Sequence, residues 1–407
     1  MAPREKWSRT QRDVVAASFL GWTLDAFDFF LVVFVLNRLA EDFGVAVRDV
    51  SEALFWTLAM RPIGAFLFGR IADHFGRRPA LMASVVLYSI MELATAGASS
   101  LQIFLVLRAL FGVGMGGVWG VGASLAFESV PVSSRGFVSG LLQVGYPCGY
   151  LLAAVVYGLL FDHIGWRGMF ILGAFPALLV FFIQSRVPES KVWSESRTQP
   201  ATRGLLSALS GHWGLALYAM VLMACFNFFS HGTQDLYPTF LQKQHGFSTT
   251  TTSLIAITYN VGAICGGLLF GTLSGRLGRR KAIALAAGLS LLAIPFWAYA
   301  QTAIALAAGA FLMQFLVQGA WGVVPAHLNE LAPEGMRATF PGVVYQLGNL
   351  IASKNSVIQA DIATAHGGSA HPDYSFALAV VAGTVAALLV VLALAGPEKR
   401  DVRFGNQ

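Results

Sequence analysis

The sequence predicts an all-α integral membrane protein with twelve transmembrane helices arranged as two bundles of six. Three observations support this: a composition that is 56% hydrophobic and 12% charged, a series of long apolar segments, and two halves that repeat each other. Soluble domains carry roughly 25% charged residues. A soluble fold of 407 residues with so few charges could not cover its own surface.

The apolar segments are roughly 20 residues long, which is enough to cross a bilayer. We predict spans at residues 14–36, 50–73, 79–98, 101–127, 136–160, 166–186, 213–241, 249–274, 281–300, 302–328, 338–363 and 374–395. The longest polar interruption follows the sixth span and is rich in Ser, Pro and charged residues, as is typical of a linker. The sequence therefore predicts a first bundle at 1–186, a cytoplasmic linker at 187–211 and a second bundle at 212–407.

Basic residues indicate the orientation in the membrane. Twenty of the 27 Lys and Arg residues fall in the N-terminus, the C-terminus and the loops that follow even-numbered spans. Cytoplasmic loops are enriched in Lys and Arg, so both termini are expected in the cytoplasm of a multi-pass plasma (inner) membrane protein. This placement accounts for the net charge of +6 without a nucleic-acid partner. The charged start, MAPREKWSRTQRD, predicts no signal peptide.

The two halves repeat at an offset of 202 residues. GRIADHFGRRPAL begins at Gly69 and GTLSGRLGRRKAI begins at Gly271, and Trp119, Glu128 and Arg135 match Trp321, Glu330 and Arg337. Several matches in one register indicate a duplication. Two bundles related by an axis along the membrane normal enclose a site near the midplane and can rock around it, which is alternating access.

Two motifs resemble signatures of the major facilitator superfamily. One is G-x-x-x-D-x-x-G-R-R, with Gly69, Asp73, Arg77 and Arg78, and the other runs from Arg108 to Gly116 in span 4. With the repeat, the resemblance covers nearly the whole chain. It implies that the first motif, together with Arg279 and Arg280 of the second copy, forms a latch between the halves that breaks during gating. The alternative is a basic membrane anchor with helix caps, and both roles are compatible.

Span 7 carries a second resemblance. Asn227, Ser230, His231, Thr233, Gln234, Asp235 and Thr239 fill every fixed position of N-x-x-S-H-x-S/T-Q-D-x-x-x-T. This pattern resembles the signature of the fungal carboxylate:proton permeases, which group with the sialate:proton symporters. The resemblance implies proton-coupled uptake of a small monocarboxylate such as lactate or pyruvate. The short linker favours a short acid over sialate, whose carriers typically insert two further spans there.

The same stretch supports a binding site without the resemblance. Asn227, His231 and Asp235 recur every four residues and so share one helix face. Ionisable groups within a span are costly and normally face an interior cavity. His231 and Asp235 could carry a proton between them, or could form a fixed hydrogen-bonded clasp. Pro238 is expected to weaken the helix nearby.

An anionic substrate needs a buried cation, and Arg61 lies in the middle of span 2. Its guanidinium can bind a carboxylate through two hydrogen bonds. Alternatively, Arg61 pairs permanently with Asp25 or Asp28, which lie three residues apart on span 1. In a mixed picture, Asp25 or Asp28 holds Arg61 until a proton or the substrate releases it, so both aspartates are candidates for proton coupling. Arg108 in span 4 is a candidate for proton transfer or for a structural pair with span 1. Glu92 in span 3 is expected to be weakly paired or to reach the membrane surface.

Span 11 contains a polar stripe. Tyr345, Gln346 and Asn349 are candidate substrate ligands at helical spacing. Lys354 is either a second carboxylate ligand or a partner that neutralises Asp235. The glycine-rich segments lack a P-loop Lys-Ser/Thr and favour close helix packing instead.

We therefore expect a secondary active transporter that couples monocarboxylate symport to a proton. The alternative is a proton symporter for a larger organic acid such as sialate or an aromatic acid. Three scattered cysteines and no metal-ligand motif favour neither a disulfide framework, a metal site nor an enzyme. We expect a monomer in the lipid bilayer, with no cofactor, whose partners are a small organic anion and the proton as co-substrate.

Overall fold

A computed structural model describes residues 7–196 and 211–400, together with Val402 and Phe404. Within these residues the regular elements are helices. Residues 197–210 of the predicted linker at 187–211 lie outside the described residues, so the division into two bundles at that point stays a prediction.

The first half of the chain contains seven described α-helices and the second half nine. The first seven are α1 Arg9–Phe43, α2 Val47–Phe75, α3 Arg77–Ala96, α4 Leu101–Ser129, α5 Arg135–Leu172, α6 Ala177–Arg186 and α7 Lys191–Ser196. The others are α8 Trp213–Gln234, α9 Tyr237–Lys243, α10 Thr249–Leu277, α11 Arg279–Ala298, α12 Ala303–Trp321, α13 Val324–Leu331, α14 Thr339–Ala352, α15 Asn355–Gly367 and α16 Tyr374–Ala395.

These helices make the chain a multi-pass membrane protein. Among the described residues, nine helical segments are long and apolar enough to cross a membrane. The three other predicted spans correspond to helices with visible interruptions or polar content. α2 carries Arg61 in its middle, α6 has only ten residues, and the helix of span 11 is divided into α14 and α15.

Several spans are not continuous helices. α8 ends at Gln234 and α9 begins at Tyr237, with Pro238 in the first turn of α9, as the sequence predicts. The break at Ser353 and Lys354 in span 11 carries no proline and was not predicted. Spans 5 and 6 run together in α5, where Gly165 has a φ of 62° that suits glycine.

The helix bounds confirm the 202-residue repeat. α2, α3 and α4 begin at residues 47, 77 and 101, and α10, α11 and α12 begin 202 residues later at 249, 279 and 303. α2 packs along α4 in the first half, and α10 packs along α12 in the second. A buried ion pair repeats as well: Arg77–Glu128 at 2.8 Å corresponds to Arg279–Glu330 at 2.7 Å.

The two halves meet along two equivalent helix pairs, α5 with α10 and α2 with α14. The backbones approach closely there, since a Cβ added to Gly140 would lie 2.4 Å from the carbonyl oxygen of Gly267. Small residues permit this approach in a membrane, where helix association depends on close packing. We call the end of the molecule that carries Arg77, Arg78, Arg279 and Arg280 the basic end. The halves are closed against each other at this end.

Val402 and Phe404 of the C-terminal tail also lie at the basic end. The Phe404 ring is 1% exposed and lies under two guanidiniums, 3.7 Å from Arg135 of the first half and 4.4 Å from Arg337 of the second. The Nη1 of Arg135 donates to the carbonyl oxygen of Val402 at 2.6 Å. The tail therefore contacts both halves where they meet.

Candidate functional site

The second half contributes a polar clasp at the point where span 7 breaks. His231 lies in the last turn of α8, and its Nδ1 is 3.2 Å from Asp235 Oδ1. Its Nε2 is 3.1 Å from the side-chain oxygen of Asn349 on α14. Ser356 on α15 donates to the other carboxylate oxygen of Asp235 at 3.2 Å. Three helix segments are thus held together by one imidazole and one carboxylate.

The other predicted ligands of this half lie around the His231–Asp235 cluster and differ in burial and in hydrogen bonding. Asn227 is buried and donates to the Met223 carbonyl of its own helix at 2.8 Å. Gln346 is fully buried, and among the described residues neither atom of its amide has a hydrogen-bond partner. Lys354 is exposed at the break between α14 and α15, and no ion pair joins it to Asp235 within the described chain.

The first half contributes a buried guanidinium. Arg61 is 2% exposed, and its Nη2 lies 3.6 Å from Asp25, so Asp25 is the partner that sequence reasoning left open between two aspartates. Neither Nε nor Nη2 of Arg61 has a hydrogen-bond partner among the described residues. The guanidinium also lies 5.8 Å from the centre of the Trp22 ring. Arg61 therefore keeps donors free for a carboxylate.

A second set of charges lies behind Arg61 in the same half. Arg108 on α4 donates to Glu92 on α3, and both side chains are fully buried. The expectation that Glu92 is weakly paired or reaches the membrane surface was wrong, because the burial of a carboxylate requires a cation such as Arg108 beside it. Asp28 is fully buried too, and neither of its oxygens has a hydrogen-bond partner among the described residues.

The two half-sites face each other across the α2–α14 contact. A Cβ added to Gly342 would lie 3.6 Å from the Cβ of Ala65. Because the two helices run in opposite directions, the next turn of each brings Arg61 and Gln346 to the same level. The Trp22 ring, 5.8 Å from the Arg61 guanidinium, also lies 6.4 Å from the ring of Tyr345 on α14. The structure thus brings the predicted ligands from both halves to one region.

Aromatic rings line this region on the side of the basic end. The ring of Tyr345 lies 4.7 Å from Trp119, 5.7 Å from Trp321 and 6.4 Å from Trp22, measured between centroids. Sequence reasoning selected Tyr345 but missed the three tryptophans as neighbours of the site. The signal available was the pairing of Trp119 with Trp321 in the internal repeat.

The predicted gating residues lie at the basic end, with the contact between halves made by Asp73. Its carboxylate accepts from the Thr339 hydroxyl at 2.6 Å and from the backbone N–H groups of Thr339 and Ala338 at 3.1 and 3.2 Å. Gly69 lies one turn earlier, where a Cβ would come within 2.6 Å of Thr339 Cα. These contacts hold the end of α2 against the start of α14.

The four arginines of the motif copies bond within their own halves. Arg77 bonds to Asp73 and Glu128, Arg78 to the Gln184 carbonyl, Arg279 to Glu330 and Ser274, and Arg280 to the Ala393 carbonyl. The arginines thus brace the helix ends that carry the contact, while Asp73 makes the contact itself.

Several transporters are similar to this chain in sequence or in fold. A carboxylic acid transporter protein homolog of Saccharomyces cerevisiae is 30% identical, covering 94% of this chain and 67% of the relative. The sialic acid transporter NanX of Escherichia coli is 28% identical, covering 83% of this chain and 84% of the relative. The proton:xylose symporter XylE superposes with a TM-score of 0.75 at 18% identity, over 96% of each chain.

The family of this chain is assigned from a sequence profile that matches most of its length. The sequence profile of the Major Facilitator Superfamily matches residues 18–353 and, in a second match, residues 236–407. The repeated helices, the two facing half-sites and the relatives agree with this match. The chain therefore belongs to the Major Facilitator Superfamily and is a membrane transporter, not an enzyme.

Proposed function

We propose that this protein is a proton-coupled symporter of a small monocarboxylate such as lactate or pyruvate, working by alternating access. The observation that carries the proposal is the buried guanidinium of Arg61. It lies at the contact of the two halves with two nitrogens free of hydrogen bonds among the described residues. A buried cation with free donors suits a carboxylate, which can accept two hydrogen bonds from one guanidinium.

The second half supplies the polar groups for the other end of the anion. His231 and Asn349 already hydrogen-bond each other, and Gln346 is buried with both amide atoms free among the described residues. An anion between Arg61 and this set would contact both halves at once. Contacts of this kind allow the binding energy of the substrate to bias the equilibrium between the two open states.

Proton coupling follows from charge balance. A deprotonated carrier that binds an anion adds a negative charge to a site that already contains the buried carboxylate of Asp25, with the exposed carboxylate of Asp235 nearby. Buried charge without a partner is costly, so binding one proton with each anion favours the loaded carrier. We propose a stoichiometry of one proton per anion, which is electroneutral, with no resident cofactor. We propose the cytoplasm as the location of the basic end, on the distribution of Lys and Arg.

Uptake into proteoliposomes tests the proposal directly. The purified protein is reconstituted, and labelled lactate uptake is measured with and without an inward proton gradient. We expect accumulation only with the gradient, reaching about tenfold for each pH unit at one proton per anion. Uptake that is indifferent to the gradient would exclude proton coupling.

The role of Arg61 is tested by substitution. Arg61→Ala removes the cation, and Arg61→Lys keeps the charge without the planar fork, so we expect both to abolish lactate uptake. Arg38→Ala is the matched control, because Arg38 lies near the C-terminal end of α1, where it forms an exposed ion pair with Glu41. Near-normal uptake by both Arg61 variants would remove Arg61 from the site.

A larger organic acid is the second candidate. The aromatic rings of Trp119, Trp321 and Tyr345 provide flat surfaces on which a planar or ring-shaped acid could stack. The matched relatives include a sialic acid transporter and a cis,cis-muconate transport protein. A competition panel against labelled lactate separates the candidates: stronger inhibition by sialate, muconate or benzoate than by pyruvate would favour the larger acid.

A further inference from the structure

The first half contains a pair of buried carboxyl groups that the binding of an anion does not use. Asp28 on α1 and Glu92 on α3 are both fully buried. A Cβ added to Gly173 would lie 2.9 Å from Glu92 Oε1 and 3.1 Å from Asp28 Oδ1. The two oxygens are therefore within 6.0 Å of each other, the sum of these distances, on either side of a residue without a side chain.

The cations available to this pair are too few. Among the described residues, three carboxyl groups, those of Asp25, Asp28 and Glu92, share this buried region with two guanidiniums, those of Arg61 and Arg108. Asp25 faces Arg61, and Glu92 accepts a hydrogen bond from Arg108. Asp28 is left without a hydrogen-bond partner among the described residues. Full ionisation would leave one uncompensated negative charge, which is costly in a buried site.

One proton removes this excess. Two carboxyl groups held close together cannot both ionise easily, and they share a single proton when one of them is protonated. We propose that Glu92 and Asp28 hold the transported proton between them, with Arg108 stabilising whichever carboxylate remains ionised. This inference rests on the proton coupling proposed above. It assigns to Glu92 a role in coupling and places the proton in the first half, away from His231.

The surroundings of the pair fit a retained proton. Among the described residues, the ionisable groups that face it from the packed helices are Asp25 on α1, Tyr88 on α3 and Arg108 on α4. Arg61 on α2 lies on the other side of Asp25, which it contacts. The turn between α5 and α6 contributes Gly173, which has no ionisable group. Because Asp28 and Glu92 have no exposed surface in this conformation, a proton held there is isolated from solvent until the halves move.

The pair also connects the proton to the anion site. Asp25 and Asp28 lie three residues apart on α1, and Asp25 contacts Arg61. When an anion binds Arg61, Asp25 loses part of its compensating charge, and a proton nearby becomes more favourable for all three carboxyl groups. Conversely, loss of the proton weakens the binding of the anion at Arg61. Reciprocal linkage of this kind is the thermodynamic requirement for symport.

Two transport measurements on reconstituted protein separate coupling from translocation. Accumulation requires a proton gradient to drive the anion, whereas counterflow exchanges labelled for unlabelled lactate without net proton movement. We expect Asp28→Asn and Glu92→Gln to lose accumulation, from about tenfold at one pH unit to about onefold, while counterflow continues. Asp28→Asn leaves the Glu92–Arg108 pair intact and so preserves the fold.

Controls decide among the other outcomes. Glu92→Asp keeps a titratable group and should retain accumulation, and Glu41→Gln, in an exposed pair with Arg38, should match the wild type. If Glu92→Gln is inactive in counterflow too, Asp28→Asn decides, because tenfold accumulation by that variant would overturn the inference. Wild-type uptake indifferent to the gradient would instead refute proton coupling itself, so the two failures are distinguishable.

Discussion

The contact between Asp73 and Thr339 allows the closure of the basic end to be tested in energetic terms. Thr339→Val removes one hydroxyl, which donates to the Asp73 carboxylate at 2.6 Å, and keeps a side chain of nearly the same shape. The two backbone hydrogen bonds to Asp73 remain. The substitution therefore weakens the contact between halves without removing the charge of Asp73 or its pair with Arg77.

The size of the effect follows from the type of bond. A hydrogen bond to a charged group contributes about 1.5–3 kcal/mol, which changes an equilibrium by a factor of roughly 10 to 150. A carrier that is about one hundredth open at the basic end would become between about one tenth and more than half open. The hydrogen bond between Thr339 and Asp73 exists only when the basic end is closed. Its loss therefore changes the equilibrium between the closed and open states by its full contribution.

Distances across the basic end provide the assay. Spin labels at the exposed positions Ser133 and Glu334, in a variant without the native cysteines, report on the separation of the two halves. We expect Thr339→Val to enlarge the population with long distances and Thr339→Ser, which keeps the hydroxyl, to match the parent. Identical distance distributions for Thr339→Val and the parent would refute the assignment of this contact to closure.

Three further substitutions test other parts of the structure. Gly266→Ala places a Cβ 1.8 Å from the Phe315 carbonyl oxygen and should destabilise the protein by about 1–3 kcal/mol, seen as a lower thermal-unfolding midpoint; Gly275→Ala, which meets open space, is the matched control. Phe404→Ala removes a ring that contacts both halves and should enlarge the same long-distance population, whereas unchanged distances would show that the tail does not secure closure. His231→Gln should weaken lactate binding at least tenfold in a thermal-shift titration, because it loses the imidazole that bridges α8 and α14, and unchanged binding would exclude that role.

Much of the fold could be predicted because hydropathy and charge are local properties. The spans, the bias of basic residues and the register of the repeat are all visible along the chain, and the helix starts at 47 and 249 agree with that register. The break near Pro238 was also predictable, since proline lacks a backbone N–H. The break at Ser353 was not, because no local residue there prevents a helix.

The candidate site was predicted less completely. Arg61, His231 and Asp235 stood out because an ionisable residue in an apolar span is costly and therefore requires a partner. Their partners were predicted only in part: Asp235 was paired with His231, but Asp25 was one of two candidates for Arg61. Asn349 was one of several polar residues in its span, and Glu92 had no visible cation beside it in the sequence, although Arg108 lies next to it in the folded chain.

The amino-acid sequence by itself determined that this is a duplicated membrane transporter with ionisable residues inside its spans. Only the tertiary structure decided which charges meet. Asp25 and Asp28 share a helix face, but three residues turn the helix by roughly 300° and raise it by about 4.5 Å. That difference directs Asp25 to Arg61 and Asp28 to Glu92, because the neighbour of each carboxyl is set by how α1 packs against α2, α3 and α5. Helix packing, which no single segment encodes, therefore separates the carboxyl group that contacts Arg61 from the one that lies beside Glu92.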